Sequence, residues 1–135
     1  MRKIYNFTIE ELEEYLIKNS YKKFNARQIF EWIYKKKIND VDQMSNLSKK
    51  LKEFIKANFI IEDLGVSSHQ ISEDGTEKFL FELGDSNLIE TVLMRHDYGN
   101  SVCVTTQLGC NIGCSFCASG LQKKKRDLTA SEIVL

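Results

Sequence analysis

The chain of 135 residues contains no proline, one tryptophan and two histidines. Without proline, nothing in the covalent chain forces a helix to kink or stop, so element ends must come from caps and glycines. Glycine is itself missing from the first 64 residues, and all seven glycines lie beyond them. That first stretch therefore lacks the residue that most readily takes left-handed backbone, which favours helices over tight turns there. No apolar run approaches the roughly 20 residues of a helical membrane span. Residues 1–6 lack the apolar core of a secretory signal. Hydrophobic content of 42% and charged content of 28% exclude a disordered tail.

Neither sign of charge is in excess, since 19 Lys and Arg face 19 Asp and Glu. The balance hides an uneven distribution. Residues 1–59 carry 13 basic against 8 acidic side chains, residues 60–99 carry 2 against 9, and residues 100–135 carry 4 against 2. The excess in the first segment is that of a lysine-rich solvated face more than of a polyanion binder.

Three amphipathic helices are expected in residues 1–59. Thr8 and Glu11 have capping-box spacing, with Ile9, Leu12 and Leu16 following on one face. Asn25 can cap a second helix in which Ala26, Ile29, Phe30 and Ile33 form the stripe, with Trp32 beside it and Lys35-Lys36-Lys37 at the end. Ser45 or Asn46 precedes a third, with Leu47, Leu51, Phe54, Ile55 and Asn58 on its buried side. Each is too short to be stable alone, so the three must pack as a small helical accessory domain.

Strand patterns begin near residue 60. Residues 66–72 and 77–83 flank Asp74-Gly75, a two-residue hairpin turn. Gly84-Asp85-Ser86-Asn87 makes a second turn before a strand over 88–95. His69 and His96 read as ordinary strand-end residues. The run from Val102 to Leu108 is expected to form one strand that leads into a cysteine loop. The expected class is α+β: helical residues 1–59, an antiparallel β extension over 60–99, and the first β/α unit of a barrel over 100–135. A second capping box, Thr129 with Glu132, opens a helix that the sequence leaves too short to form or bury a face. That strand also has no parallel partner, so the sequence reads as the N-terminal portion of a longer protein.

Gly109-Cys110-Asn111-Ile112-Gly113-Cys114-Ser115-Phe116-Cys117 carries the chemistry. Three close cysteines cannot all pair as disulfides, and they suit a metal or an iron–sulfur cluster. Three thiolates can hold three irons of a cubane and leave the fourth open to a ligand. Gly109 and Gly113 let the backbone bend, and Phe116 can shield one side. Structural zinc is the alternative, but it wants four ligands, and Cys103 or His96 would have to complete the set. Clustered cysteines fit a reducing cytoplasm better than an oxidising compartment.

Cys110-x-x-x-Cys114-x-Phe116-Cys117 resembles the radical S-adenosylmethionine signature. With Ile89-Glu90-Thr91-Val92-Leu93, the string from Ser101 to Gly109, Cys117-Ala118-Ser119-Gly120 and Asp127-Leu128-Thr129, the chain resembles bacterial adenine-C2 RNA methyltransferases. The resemblance implies a [4Fe-4S] cluster on Cys110, Cys114 and Cys117, and S-adenosyl-L-methionine on its open iron, with Phe116 beside it. It implies 23S rRNA and tRNA as substrates. It also implies an electron donor such as flavodoxin or ferredoxin, a monomer and no membrane. A methyl-carrying cysteine near the family's C-terminus, outside this chain, supplies the carbon. Cys103 matches the cysteine that resolves the adduct through a disulfide, and Glu90 matches a proton acceptor. From the residues themselves, Glu90 reads first as a sheet-edge carboxylate facing water, with burial amid its apolar neighbours and a raised pKa as the alternative, and Cys103 reads first as a small buried hydrophobe. The run from Lys123 to Arg126 reads first as a solvated face, with RNA contact as the alternative, since it follows the cluster loop where RNA phosphates would approach. The chain alone is expected to be inactive. A zinc-stabilised RNA-binding module and a different radical enzyme remain as alternatives.

Overall fold

A computed structural model describes residues 1–135, which form two compact units, Met1–Asp63 and Leu64–Leu135. The first unit is mostly helical. Helix α1 (Ile9–Lys18) starts at Thr8, whose hydroxyl accepts from the Glu11 N–H while the Glu11 carboxylate accepts from the Thr8 N–H. Helix α2 (Phe24–Phe30) runs on into a π-helical turn, Glu31–Lys35. A 3-10 turn at Val41–Gln43 precedes helix α3 (Lys49–Asn58). Two caps differ from expectation. Asn25 lies inside α2, where its carboxamide accepts from the Lys22 N–H. Ser48 caps α3 by accepting from the Leu51 N–H. Asn46 is engaged elsewhere, accepting from the Trp32 indole N–H at 2.6 Å.

The stripes converge on one core, in which Ile4, Leu12, Leu16, Ile29, Met44, Leu51 and Ile55 are fully buried. Truncating one of these leucines to alanine would cost about 2–5 kcal/mol. Phe7, Tyr15, Phe54 and Phe59 pack mainly edge to face around that core. The region is not purely helical. Strand β1 (Arg2–Lys3) pairs in parallel with β2 (Phe59–Ile60), joining the beginning and end of the unit. Two-residue strands are too short for any periodicity to reveal. Glu13 is buried between Lys23 and Arg27. Burial pushes its pKa up, but the hydrogen bonds from those two cations outweigh it and hold the carboxyl below its usual range.

The second unit contains an antiparallel four-stranded meander in the order β3 (Gly65–Ile71), β4 (Glu77–Glu82), β5 (Leu88–His96), β6 (Gly99–Val104). The first hairpin loop is a residue longer than expected. The Ser72 carbonyl accepts from the Gly75 N–H, and the Ser72 N–H donates to the Thr76 carbonyl. Gly75 takes φ +80°, and Asp74 accepts from the Thr76 N–H. The second hairpin repeats this pattern with Leu83, Ser86 and Asn87, and Asp85 accepts from the Asn87 N–H. Here a serine, Ser86, takes φ +60°.

The long strand expected into the cysteine loop is broken. Strand β6 ends at Val104, and a separate β7 (Gln107–Leu108) pairs antiparallel with β8 (Arg126–Asp127). At the break, the Thr105 hydroxyl donates to the Glu90 carbonyl at 2.7 Å. Helix α4 (Ala130–Val134) forms despite its length. Tertiary contacts hold it: Ile133 packs against a core of Leu83, Ile89, Leu108 and Leu128, and Glu132 is tied to Arg126 by contacts of 2.9 Å.

Candidate active site

The three motif cysteines sit on the loop between β7 and β8. The ends of this loop are tied together. The Lys125 N–H donates to the Leu108 carbonyl at 2.8 Å, the Cys110 N–H to the Gln122 carbonyl at 3.0 Å, and the Lys124 N–H to the Asn111 side chain at 2.9 Å. Gly109 makes this closure possible. It takes φ +72°, and a Cβ there would lie 2.4 Å from the Lys123 carbonyl oxygen. Gly113 also has positive φ, but a Cβ there would meet open space.

All four cysteines are free thiols. Cys110 is half-buried, while Cys114, Cys117 and Cys103 are exposed. The Cys110 sulfur accepts from the Ile112 N–H at 3.5 Å. Hydrogen bonds from the Ser119 backbone and hydroxyl, and from the Gly120 N–H, pull the Cys117 thiol below its ordinary range. No group of three His, Cys, Asp or Glu side chains is gathered closely enough to hold a metal ion. The donor set nevertheless fits a cluster chemically: three unpaired thiols share one loop that is turned by positive-φ glycines and supplied with N–H donors.

Phe116 does not shield the thiols. It is 90% exposed and covers nothing within the chain. Glu90 is not buried either. Strand alternation puts its neighbour Ile89 into the core and Glu90 on the opposite face, where it pairs with Lys78 at 3.3 Å. Cys103, which is exposed rather than buried, lies opposite Val92, two residues along from Glu90. The register therefore places Glu90, Lys78 and Cys103 on one face of the sheet. Glu90 also lines a cleft of about 270 Å³ with Ile89, Thr105, Gln107, Ser119 and Gln122. The cleft brings Glu90 next to both ends of the cysteine loop.

The basic run after the loop is largely engaged locally. Arg126 pairs with Asp85 at 2.7 Å and with Glu132 at 2.9 Å, Lys124 pairs with Asp127 at 2.7 Å, and Lys125 donates to Asn87 at 3.1 Å. Hydrogen bonds from Arg126 bring the Asp85 and Glu132 carboxyls each to about 2. Sequence reasoning missed this network, because residues 85 and 126 meet only through the tertiary fold. It also missed a role for His69, which lies within β3, stacks on Phe79 and contacts Glu77 at 2.9 Å, while Arg95 pairs with the same carboxylate.

The fold and site together define the class. A crystal structure of a radical SAM methyltransferase from Sphaerobacter thermophilus superposes with a TM-score of 0.87 at 39% identity, covering 98% of this chain and 39% of that one. The chain has the α+β fold of part of a radical SAM methyltransferase. Residues 3–61 match the family described as the ribosomal RNA large subunit methyltransferase N-terminal domain. Proteins named as probable dual-specificity RNA methyltransferase RlmN match over 97% of the chain. The one from Bacillus velezensis is 56% identical and the one from Acholeplasma laidlawii 57%, and the chain covers 36% and 39% of their lengths. Residues 3–61 are similar to that N-terminal-domain family, and the chain as a whole is similar to RlmN proteins. It spans little more than a third of the curated relatives it matches. These likenesses do not favour a zinc module or a different radical enzyme. No helix is long and apolar enough to cross a membrane.

Proposed function

We propose that the chain is part of an enzyme that methylates C2 of adenosine in 23S rRNA and tRNA. Similarity to RlmN proteins over 97% of the chain, cysteine loop included, carries this reading. Cys110, Cys114 and Cys117 are the three residues that would hold a [4Fe-4S] cluster. With S-adenosyl-L-methionine bound, the cluster supplies radical chemistry at an otherwise inert carbon. Phe116, exposed on the same loop, would then contact the cofactor. The Gly109 and Gly113 bends fix the path of the loop, the Ile112 N–H donates to the Cys110 sulfur, and the Ser119 and Gly120 donors favour the thiolate form of Cys117.

Glu90 would take a proton from the substrate base. Its side chain is solvent-exposed, pairs with Lys78 at 3.3 Å and borders the cleft beside the cysteine loop. Cys103, a free thiol on the same sheet face, would resolve a covalent adduct by attacking the sulfur of the methyl-carrying cysteine: the disulfide forms as the bond from that sulfur to the transferred carbon breaks, and the electron pair leaves with the carbon, which is then protonated. Residues 1–59 would be the accessory domain, 60–99 the β extension and 100–135 the start of a partial (β/α) barrel. The remaining assignments are a cytoplasmic location, a monomer, and a flavodoxin or ferredoxin as electron donor. Deleting the gene that encodes this chain should remove 2-methyladenosine from digests of 23S rRNA and tRNA. Unchanged levels in both RNAs would contradict the proposal.

A further inference from the structure

The cleft beside Glu90 has a mixed lining. Leu88, Ile89 and Leu108 give it an apolar part, and Gln107 and Gln122 bring carboxamides to it. The half-buried Gln107 carboxamide makes no hydrogen bond within the chain, although its backbone is held in the β7–β8 ladder. An open cleft of about 270 Å³ with a mixed lining and an unpartnered amide suits a flat heterocycle that offers one donor and one acceptor on the same edge. Adenine offers such an edge at N6 and N7, the pair that glutamine reads in a bidentate fashion.

We propose that Gln107 is the specificity-determining residue for the target base, holding adenine in this cleft by its N6–N7 edge. The inference rests on the adenosine-C2 reading above. It has a chemical consistency of its own: C2 lies between N1 and N3, on the side of the purine away from N7. A base held at N6 and N7 therefore keeps C2 free for modification, whereas a base held at N1 would have its acceptor next to C2 obstructed. Guanine carries a carbonyl in place of the N6 amino group, so its O6 and N7 are both acceptors and one of the two contacts to Gln107 becomes a repulsion whichever way the amide is turned.

Nucleoside titration of the chain, followed by NMR on the Gln107 side-chain amide, tests this without any cluster. Adenosine should shift that amide. 7-Deazaadenosine, which lacks the N7 acceptor, should bind about tenfold more weakly. 1-Deazaadenosine, which keeps both N6 and N7, should bind like adenosine. Gln107→Met, which preserves shape and removes the amide, should abolish the preference for adenosine over 7-deazaadenosine. Adenosine and 7-deazaadenosine binding equally to the unaltered chain would overturn the proposal, as would adenosine shifts confined to residues outside the cleft. The analogue comparison needs no variant, so a folding defect in Gln107→Met cannot obscure it. A chain that binds a cluster but not adenosine refutes this inference alone. A chain that discriminates at N7 yet leaves 2-methyladenosine unchanged on gene deletion refutes the parent reading alone.

Discussion

Arg126 grips Glu132 with two of its guanidinium nitrogens, both at 2.9 Å, and reaches Asp85 with the same side chain at 2.7 Å. One residue thereby joins the β4–β5 turn, strand β8 and helix α4. Arg126→Ala leaves the largely buried Glu132 carboxylate without its cation, and unit 2 should lose about 1–3 kcal/mol by chemical denaturation. Both carboxyls have folded pKa values near 2, below their unfolded values. Their contribution is therefore complete at neutral pH and declines as pH falls from about 4 through about 2. Arg126→Ala should remove that acid-sensitive component, visible as a flatter dependence of stability on pH over the same window.

The two hairpin turns differ at one position. Gly75 and Ser86 occupy the same left-handed place, and only glycine does so without a Cβ penalty. Ser86→Gly relieves about 1 kcal/mol of strain and loses part of it to the freer unfolded chain. A net stabilisation of about 0.5 kcal/mol is expected, read as a raised melting temperature. Gly75→Ala should move it the other way.

Gly109 and Gly113 separate strain from collision. Both have positive φ, but only at Gly109 would a Cβ meet backbone, the Lys123 carbonyl at 2.4 Å. Gly113→Ala should cost about 1 kcal/mol. Gly109→Ala should cost more and open the β7–β8 ladder, seen as faster hydrogen exchange at the Lys125 amide, which donates to Leu108.

The cap of α3 gives a third comparison. Ser48→Ala should destabilise unit 1 by about 1 kcal/mol, whereas Ser45→Ala should be close to neutral. Asn46→Ala should act through Trp32 instead, removing the acceptor of its indole N–H and changing the tryptophan fluorescence.

These residues also show what the sequence made legible. Thr8 with Glu11 marked a helix start correctly because a capping box is local in sequence. Ser48 was hidden behind Ser45 and Asn46 because three polar residues in four positions compete for one cap, and only packing of Leu47 and Leu51 selects among them. The meander was readable from alternation and turn residues. The break at Thr105 was not, because it depends on a hydroxyl reaching the Glu90 carbonyl across the sheet. Glu90 faces water, as a sheet-edge carboxylate would, although its sequence neighbours are apolar, since a strand sends adjacent residues to opposite faces. The cysteine loop was fully legible as a motif. The anchoring of its exit by Arg126 was not, because Asp85 lies 41 residues away.

Anaerobic reconstitution of the chain with iron and sulfide tests the central assignment most directly, with each cysteine replaced by alanine in turn. A broad visible charge-transfer absorbance is expected. It should be lost in Cys110→Ala, Cys114→Ala and Cys117→Ala and retained in Cys103→Ala. Stoichiometric zinc without a chromophore, or a dependence on Cys103 equal to that on the other three, would contradict it.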